Sequence, residues 1–191
     1  MCGILGIVNR HDQPCDISAA ELIRMRDTMT SRGPDGAGVL QTKNIAFAHR
    51  RLAIRDIQHG AQPWVSDDGR FVLLYNGELY NDDELRRQLI ARGHRFVTNC
   101  DTEVVLAAYR EWESSCVDHF RGMFALGVYD LERQKLFCAR DRFGIKPLFL
   151  TELDGHFLFA SSIAALIAHP KFVKRPNLNA ISHYLTTFRL T

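Results

Sequence analysis

Short apolar runs and helically spaced apolar residues divide the chain into strands and helices. The short runs, each bounded by turn residues, predict strands at 3–8, 45–49, 52–54, 71–75, 123–129, 136–139, 147–150 and 157–160. Helical spacing predicts helices at about 18–30, across Leu85 and Leu89, across 104–109, near 163–168 and near 178–185. Strands in hairpin-like succession, with helices grouped early and in the middle, predict an α+β domain with antiparallel sheets.

Local signals mark where the helices begin. Ser18 and Glu21 have the spacing of a capping box, which predicts the start of the first helix. The next two helices have two candidate N-caps each: Asn81 or Asp82, and Asp101 or Thr102.

Breaker residues mark the connections. The sequence SRGPDGAG at 31–38 predicts a loop, and Asn76-Gly77 has the chemistry of a turn after the strand 71–75. The chain has no internal repeat, low-complexity tract or linker. Residues 182–191 continue a helical pattern, so we expect a domain cut from a longer chain.

Composition excludes several classes of protein. A chain of 191 residues with 46% hydrophobic content can bury one substantial core. The net charge of +2 and the lack of a basic run give no reason to expect nucleic-acid or membrane binding, and no apolar stretch predicts a membrane span or a signal peptide. Five scattered cysteines without a C-x-x-C pair predict no disulfide framework, and eight scattered histidines predict no metal site. A reducing cytoplasm is the expected compartment.

Cys2 is the first candidate for chemistry. A penultimate Cys is small enough for the initiator Met to be removed, which would leave a thiol and a free α-amine on one residue. With reference pKa values of about 8 for such an amine and about 8.5 for a thiol, the amine can accept the thiol proton near neutral pH. The alternative is that Cys2 is a small residue at the start of a strand.

Six segments, in order along the chain, resemble those of class II glutamine amidotransferases, which are N-terminal-nucleophile hydrolases. They are MCGI at 1–4, RGPDG at 32–36, HRRLAIRD at 49–56, YNGELYN at 75–81, DTE at 101–103 and RDRFGIKPL at 140–148. The resemblance covers residues 1 to about 170 and is closer to the asparagine-synthetase branch than to the sugar-aminotransferase or phosphoribosyl-transferring branches.

The resemblance implies a fold and an activity. The fold would be a four-layer αββα sandwich of two antiparallel sheets, with 1–191 forming a glutamine amidotransferase type-2 domain that lacks its C-terminal synthetase domain. The activity would be hydrolysis of L-glutamine to glutamate and ammonia through a γ-glutamyl thioester. The ammonia would pass to an ATP-dependent asparagine-synthetase-like domain, or to one that modifies a sugar, a peptide or a polysaccharide precursor.

The resemblance also implies the site residues. Cys2 would be the nucleophile, and the Asn76 side chain with the Gly77 N–H would form the oxyanion hole. Arg51 would bind the α-carboxylate of glutamine. The other implied substrate-binding residues are Leu52, Ile54, Arg55, Glu78 and Asp101. Two alternatives stay open, since Asn76-Gly77 could be a plain hairpin turn and Asp101 could be an ordinary N-cap.

Other motif residues are better explained as support. The loops at 32–35 and 140–147 are predicted to support the pocket, with a direct part in catalysis as the alternative. Arg50 is predicted to be a solvated charge or one that braces a loop. The chain departs from the family pattern at Cys100, where Ser is common, and at Arg55, where an aliphatic is usual. It departs again at Ser162 and Ala164, which replace a Glu and a Lys near the expected domain junction.

The expected partners follow from the resemblance. They are L-glutamine, the C-terminal synthetase domain and, for a homodimer, a second copy of the chain. Neither of two nucleotide-binding loops, G-x-x-x-x-G-K-[ST] and SGG-x-DS, occurs in the sequence, so no cofactor is expected here, and ATP and magnesium are expected in the synthetase domain. The rival hypothesis is a non-catalytic module of the same fold, which predicts erosion of the nucleophile, the oxyanion donors or the substrate arginine.

Overall fold

The structure is a computed structural model that describes residues 1–10, 14–54 and 56–189. Its strands are β1 (Gly3–Asn9), β2 (Gly36–Gln41), β3 (Ile45–Arg51), β4 (Trp64–Val65), β5 (Phe71–Leu79), β6 (Gly122–Asp130), β7 (Lys135–Arg140), β8 (Phe149–Leu153) and β9 (His156–Ala160). Its helices are α1 (Ala19–Asp27), α2 (Asp82–Ala91), α3 (Asp101–Trp112), α4 (Cys116–His119), α5 (Ile163–Ile167) and α6 (Leu178–Thr187), with a 3₁₀ turn at Glu113–Ser115.

The strands form two antiparallel sheets. The first sheet has the order β2-β3-β1-β9-β8, and the second has the order β4-β5-β6-β7. Strand β1 lies in the middle of the first sheet, paired with β3 on one side and β9 on the other. Cys2 therefore stands immediately before a central strand, and the oxyanion candidates Asn76 and Gly77 lie in β5 of the second sheet.

Three hydrophobic layers hold the sheets and helices together. Alternate residues of β1 face opposite ways, so Leu5 and Ile7 pack with α1 and α5, while Ile4 and Val8 pack between the sheets. A third layer joins the outer face of β5 and β6 to α2 and α3. The order helices, sheet, sheet, helices confirms the predicted α+β, four-layer αββα sandwich.

The first predicted helix start is confirmed and the second only in part. Ser18 N donates to Glu21 Oε2 at 2.9 Å and Glu21 N donates to Ser18 Oγ at 3.3 Å, which completes the capping box. Asn81 occupies the N-cap position of α2 but makes no capping bond. Its side chain instead bonds the backbone of His119 and Arg121, so it ties α2 to the start of β6.

The predicted cap of α3 is wrong. Cys100, not Asp101 or Thr102, stands at the N-cap, and its side chain makes no capping bond. Asp101 is the first residue of the helix and its carboxylate turns into the protein interior. An aspartate before a helical pattern is ambiguous in sequence, because the same carboxylate can serve tertiary contacts.

Three strand boundaries also differ from the prediction. Residues 52–54 are not a strand, because side chains bind their backbone: Asp35 Oδ2 accepts from Ala53 N at 2.8 Å. Strand β2 begins at Gly36, inside the predicted loop 31–38. Strand β8 begins at Phe149, two residues after Pro147, where a strand at 147–150 was predicted.

Asn76-Gly77 is not a hairpin turn. The two residues lie inside β5, opposite Ala125 and Phe124 of β6. A Cβ added at Gly77 would lie 2.6 Å from Met123 O and 2.7 Å from Tyr75 Cε2. Crowding, and not a turn conformation, therefore explains the glycine, and the hairpin alternative is removed.

Helix α6 confirms the last predicted helix but packs differently from the others. No residue of α6 is buried, and Leu178, Ile181 and Leu185 are exposed. Within the described part of the chain, no helix combines the length and apolar character needed to cross a membrane.

Candidate active site

One pocket between the two sheets gathers the predicted site residues. It contains every one of them except Arg55, which lies outside the described residues. The lining residues are Met1, Cys2, Arg51, Leu52, Ile54, Gly60, Gln62, Tyr75, Asn76, Gly77, Glu78, Cys100, Asp101, Thr102, Met123 and Lys146. Residues far apart in sequence thus converge on one pocket, as the resemblance implied.

The Cys2 thiol lies against the segment that follows β3. Leu52 N donates to Cys2 Sγ at 3.4 Å, and Cys2 Sγ lies 3.7 Å from Leu52 O. Arg32 Nε donates to the Cys2 carbonyl at 3.2 Å. A Cβ on Gly3 would lie 2.9 Å from Met29 Cβ, so the residue after Cys2 must be small for β1 to approach the turn that follows α1.

The α-amine of the chain lies in the same pocket. Here it belongs to Met1, which is half exposed. Partial burial lowers the pKa of this amine from its ordinary value of 8.0, and the positive charges of Lys146 and Arg32 lower it further. The same burial disfavours the charged form of the Met1 amine.

Asn76 brings an unsatisfied donor to the pocket. Its side chain is 1% exposed, and Asn76 Nδ2 has no hydrogen-bond partner among the described residues. Asn76 lies two residues after Leu74 in β5, so the two side chains are on the same face of the strand. The Leu74 side chain packs between the sheets, and the Asn76 amide therefore points toward the sheet that carries Cys2. A buried amide donor without a partner costs free energy of folding, and a ligand oxygen that accepts from it would remove this cost.

Gly77 directs its N–H to the open edge of β5. Backbone groups of successive residues in an antiparallel strand point to opposite edges. Tyr75 N donates to the Gln62 side chain at 2.6 Å, and Leu79 N donates to Asp101 Oδ2 at 3.1 Å, both on the edge away from β6. The Gly77 N–H lies between these two and therefore faces the pocket edge as well.

Arg51 lies at the end of β3 and is partly engaged. Its two terminal nitrogens donate to Ile57 O and Asp56 O, both at 2.6 Å. Gly60 packs directly against the guanidinium, so a side chain at that position would displace it. The arginine is thus held in place by a loop, with a planar group in the pocket suited to a carboxylate.

Asp101 connects α3 to β5. Its Oδ2 accepts from Tyr75 Oη at 2.9 Å and from Leu79 N at 3.1 Å. Burial raises the pKa of Tyr75 well above its ordinary value, and the charge of Asp101 raises it further, so the phenol stays a donor. Glu78 is half-buried in the same pocket, while the Ile54 side chain is exposed.

The loop at 32–36 supports both Cys2 and the segment after β3. Asp35 N donates to Arg51 O at 2.9 Å, in addition to the Asp35 bond to Ala53. Gly33 packs against the backbone of Arg50, whose Nε donates to Gly33 O at 2.9 Å. These contacts fit the predicted bracing role of the loop and of Arg50.

The loop at 140–147 is organised by Asp141. Its carboxylate accepts from four backbone N–H groups at 2.9–3.2 Å: Phe124, Phe143, Ile145 and Lys146. Although burial opposes it, these bonds lower the pKa of the Asp141 carboxyl. These bonds give Asp141 of the motif a structural role. The same loop places Lys146 in the pocket.

Two departures from the family pattern have local roles. Cys100 Sγ lies 3.3 Å from Thr102 Oγ1, and burial raises the pKa of the Cys100 thiol, which disfavours its thiolate. Ser162 caps α5 by accepting from Ala164 N at 3.2 Å.

Several lining residues were not predicted from the sequence. They are Gly60, Gln62, Tyr75, Thr102, Met123 and Lys146. Tyr75, Thr102 and Lys146 stand within quoted motifs, which is a signal that could have found them. Gln62 and Met123 carry no local signal, because their place in the pocket depends on strands remote in sequence.

Comparison with known proteins gives consistent matches along the chain. A family model described as a glutamine amidotransferase domain matches residues 1–191. Asparagine synthetase (glutamine-hydrolysing) 3 of Bacillus subtilis is 44% identical over 184 residues, which is 95% of this chain and 30% of that protein. Asparagine synthetase B of Escherichia coli is 36% identical over 177 residues, 91% of this chain and 31% of that protein. The chain thus spans less than a third of either relative.

Solved structures share the fold. Glutamine phosphoribosylpyrophosphate amidotransferase from B. subtilis superposes with a TM-score of 0.69 at 19% identity, covering 91% of this chain and 45% of that one. A structure described as the allosteric regulatory enzyme of purine biosynthesis gives 0.72 at 20% identity, covering 91% and 44%. At these identities the likeness concerns the fold, and it confirms the predicted fold class.

Proposed function

Because this chain belongs to the glutamine amidotransferase domain family, as its motifs predicted, we propose that the pocket hydrolyses the side-chain amide of L-glutamine with Cys2 as nucleophile. The observation that carries the proposal is the buried Asn76 Nδ2, which lacks a partner among the described residues and faces the sheet of Cys2. Attack on an amide carbon builds negative charge on oxygen, and a donor fixed in advance stabilises that charge.

The chemistry requires a free α-amine on Cys2. After removal of Met1, this amine takes the thiol proton and Sγ bonds to the amide carbon, so the carbonyl electrons move to oxygen. Asn76 Nδ2 and the Gly77 N–H donate to that oxygen. The C–N bond then breaks, ammonia leaves with the proton held by the amine, and water hydrolyses the thioester to glutamate.

The same pocket supplies groups for the rest of the substrate. We assign the α-carboxylate to Arg51, supported by its planar guanidinium in the pocket. We assign the α-ammonium to Asp101, Glu78 and the backbone carbonyls of Ile54 and Arg55, with Leu52 lining the site. The bonds of Asp101 to Tyr75 and Leu79 support this assignment, since they fix the carboxylate at the pocket wall.

The destination of the ammonia is a further part of the proposal. Relatives named asparagine synthetases extend well beyond the matched region, so we assign ammonia transfer to a C-terminal synthetase domain that uses ATP and magnesium. We assign no cofactor to residues 1–191, treat them as one domain, and place the protein in the cytoplasm. A second copy of the chain is a candidate partner, as a homodimer.

Labelling of the nucleophile tests the proposal. The glutamine analogue diazo-oxo-norleucine should alkylate Cys2, and Cys2→Ala should abolish both labelling and glutamine hydrolysis while the fold is kept. Cys100→Ala is the matched control, because it removes the other pocket thiol and should preserve both. Predominant labelling of Cys100 contradicts the assignment. A wild-type protein that is folded and free of Met1 but inactive would favour the non-catalytic module.

A further inference from the structure

Gln62 makes an unusual pair of bonds beside the oxyanion candidates. Its Nε2 donates to Tyr75 O at 3.0 Å and its Oε1 accepts from Tyr75 N at 2.6 Å. The side-chain amide thus bonds both backbone groups of one β5 residue, as a neighbouring strand would. The partner strand β4 begins at Trp64 and pairs with β5 at Leu73 and Val72, so it does not reach Tyr75.

The backbone of Gln62 contacts the other sheet. Gly38 of β2 packs so closely against Gln62 O that any side chain at position 38 would overlap it. Gln62 is 7% exposed, so both contacts are made in the interior. One residue therefore touches the sheet that carries Cys2 and fixes the strand that carries Asn76.

The position of the bond on β5 gives it a consequence for chemistry. The N–H groups of Tyr75, Gly77 and Leu79 share the open edge of β5, as the alternation of the strand requires. Gln62 holds the first and Asp101 holds the third. Gly77 and the adjacent Asn76 therefore lie between two positions of β5 that are fixed by side-chain hydrogen bonds.

We propose that Gln62 is a positioning residue for the oxyanion hole: it replaces the missing strand partner at Tyr75 and sets the orientation of Asn76 and Gly77 toward Cys2. The inference rests on the proposed glutamine hydrolysis and goes beyond it, since Gln62 itself touches no reacting atom. Loss of the bonds should leave substrate binding intact and weaken stabilisation of the transition state.

Gln62→Met tests this role, because Met has similar length and keeps neither bond. We expect kcat for glutamine hydrolysis to fall about 10-fold to 100-fold, the size expected for misplacement by a fraction of an ångström to one ångström, with KM for glutamine little changed. Alkylation of Cys2 by iodoacetamide should keep its rate, because displacement of iodide builds no oxyanion. Gln88→Met, the same change at a half-buried position of α2 outside the pocket, is the matched control and should alter none of these.

Gln62→Glu provides a second variant if Gln62→Met does not fold. A protonated Glu can still donate to Tyr75 O and accept from Tyr75 N, whereas its carboxylate would face the Tyr75 carbonyl. The ratio of the variant rate to the wild-type rate should therefore rise as pH falls. Both proteins share the other titratable and charged groups of the pocket, so the ratio isolates the effect of the substitution. These groups are Cys2, Arg51, Glu78, Asp101 and Lys146.

The outcomes separate the two proposals. Wild-type kcat in Gln62→Met, or wild-type kcat in Gln62→Glu at a pH that ionises the new carboxyl, overturns the positioning role. A parallel loss of iodoacetamide alkylation also overturns it, since the substitution would then disturb the thiol. An inactive wild-type protein from which Met1 has been removed contradicts the proposed glutamine hydrolysis instead.

Discussion

The two walls of the pocket are built in different ways. On the first sheet, Cys2 precedes β1 and is held by bonds from Arg32 and Leu52, which lie in loops. On the second sheet, Asn76 and Gly77 lie inside β5, with β6 paired along the whole strand. A nucleophile that needs a free α-amine must stand at a chain end, whereas oxyanion donors gain from a rigid strand that needs no reorganisation.

Two buried polar residues show the same division between function and support. Asp141 accepts four backbone N–H bonds, so its carboxylate is satisfied within the fold. Asn76 Nδ2 has no partner among the described residues, although it is as deeply buried. The satisfied residue shapes a loop, and the unsatisfied one marks where a substrate atom is expected.

The largest effect should come from blocking the chain end on the first wall. A form that retains Met1 or an uncleavable extension should hydrolyse glutamine at background rate, because the Cys2 nitrogen is then a peptide N–H and cannot serve as base. Intact mass measured beside a glutaminase assay tests this. The processed form of the same chain is the control, and full activity with Met1 in place would refute the mechanism.

The next effect concerns the second wall. Asn76→Ala should lower kcat by roughly 10²–10³-fold with KM little changed, because its amide meets charge that exists in the transition state. Circular dichroism and thermal melting should first establish that β5 is intact. A raised KM with kcat unchanged would mean that Asn76 binds ground-state substrate and is no oxyanion donor.

The glycines show why the sequence predicted the nucleophile better than the backbone around it. Cys2 and its motif were recognisable because the chemistry needs a residue at a fixed place in the chain. Gly33, Gly38 and Gly77 suggest turns or loops by local rules, yet each accommodates a close backbone contact with a remote segment. Such contacts decide that 36–41 is a strand and that 76–77 is no turn, and a local pattern does not contain them.

Hydrogen bonds in which a side chain takes the place of a neighbouring strand could not be predicted from the sequence either. Asp35 binds the backbone at Ala53, and Gln62 binds the backbone of Tyr75, in places where local pattern predicted a strand or gave no signal. The periodic and capped helix α1 was predictable because its determinants lie within one turn.

Arg51 provides a further test of the comparison, because its proposed role is to bind the substrate carboxylate on the first wall and not to stabilise developing charge. Arg51→Ala should raise KM for glutamine about 10-fold to 100-fold, corresponding to a charged hydrogen bond, and affect kcat less. Arg51→Lys should restore part of the affinity, since a point charge cannot reproduce the planar fork. Steady-state kinetics with glutamine tests both, and a kcat loss as large as that of Asn76→Ala would contradict the division of roles.

The smallest expected effect is a difference in acid sensitivity between the sheets. His49 of β3 is 1% exposed, and burial, followed by the charge of Arg51, lowers its pKa from 6.5 to about 3. Below pH 6.5 the unfolded chain then binds more protons than the folded one. The contribution of neutral His49 to the free energy of unfolding is therefore fully present above pH 6.5 and is lost as pH falls toward 3. On the second sheet, the lowered pKa of Asp141 gives stability that is present above its ordinary value of 3.8 and is lost at lower pH.

One substitution can separate the pH range in which His49 affects stability from the range in which Asp141 does. His49→Gln replaces the imidazole with a neutral amide, so its free energy of unfolding should fall less steeply than that of the wild type between pH 6.5 and about 5. The difference in slope should approach one proton, about 1.4 kcal/mol per pH unit. His169, also shifted down by burial, is common to both proteins and cancels. Chemical denaturation at several pH values measures the slopes, and parallel curves would show that His49 does not set the acid sensitivity of the first sheet.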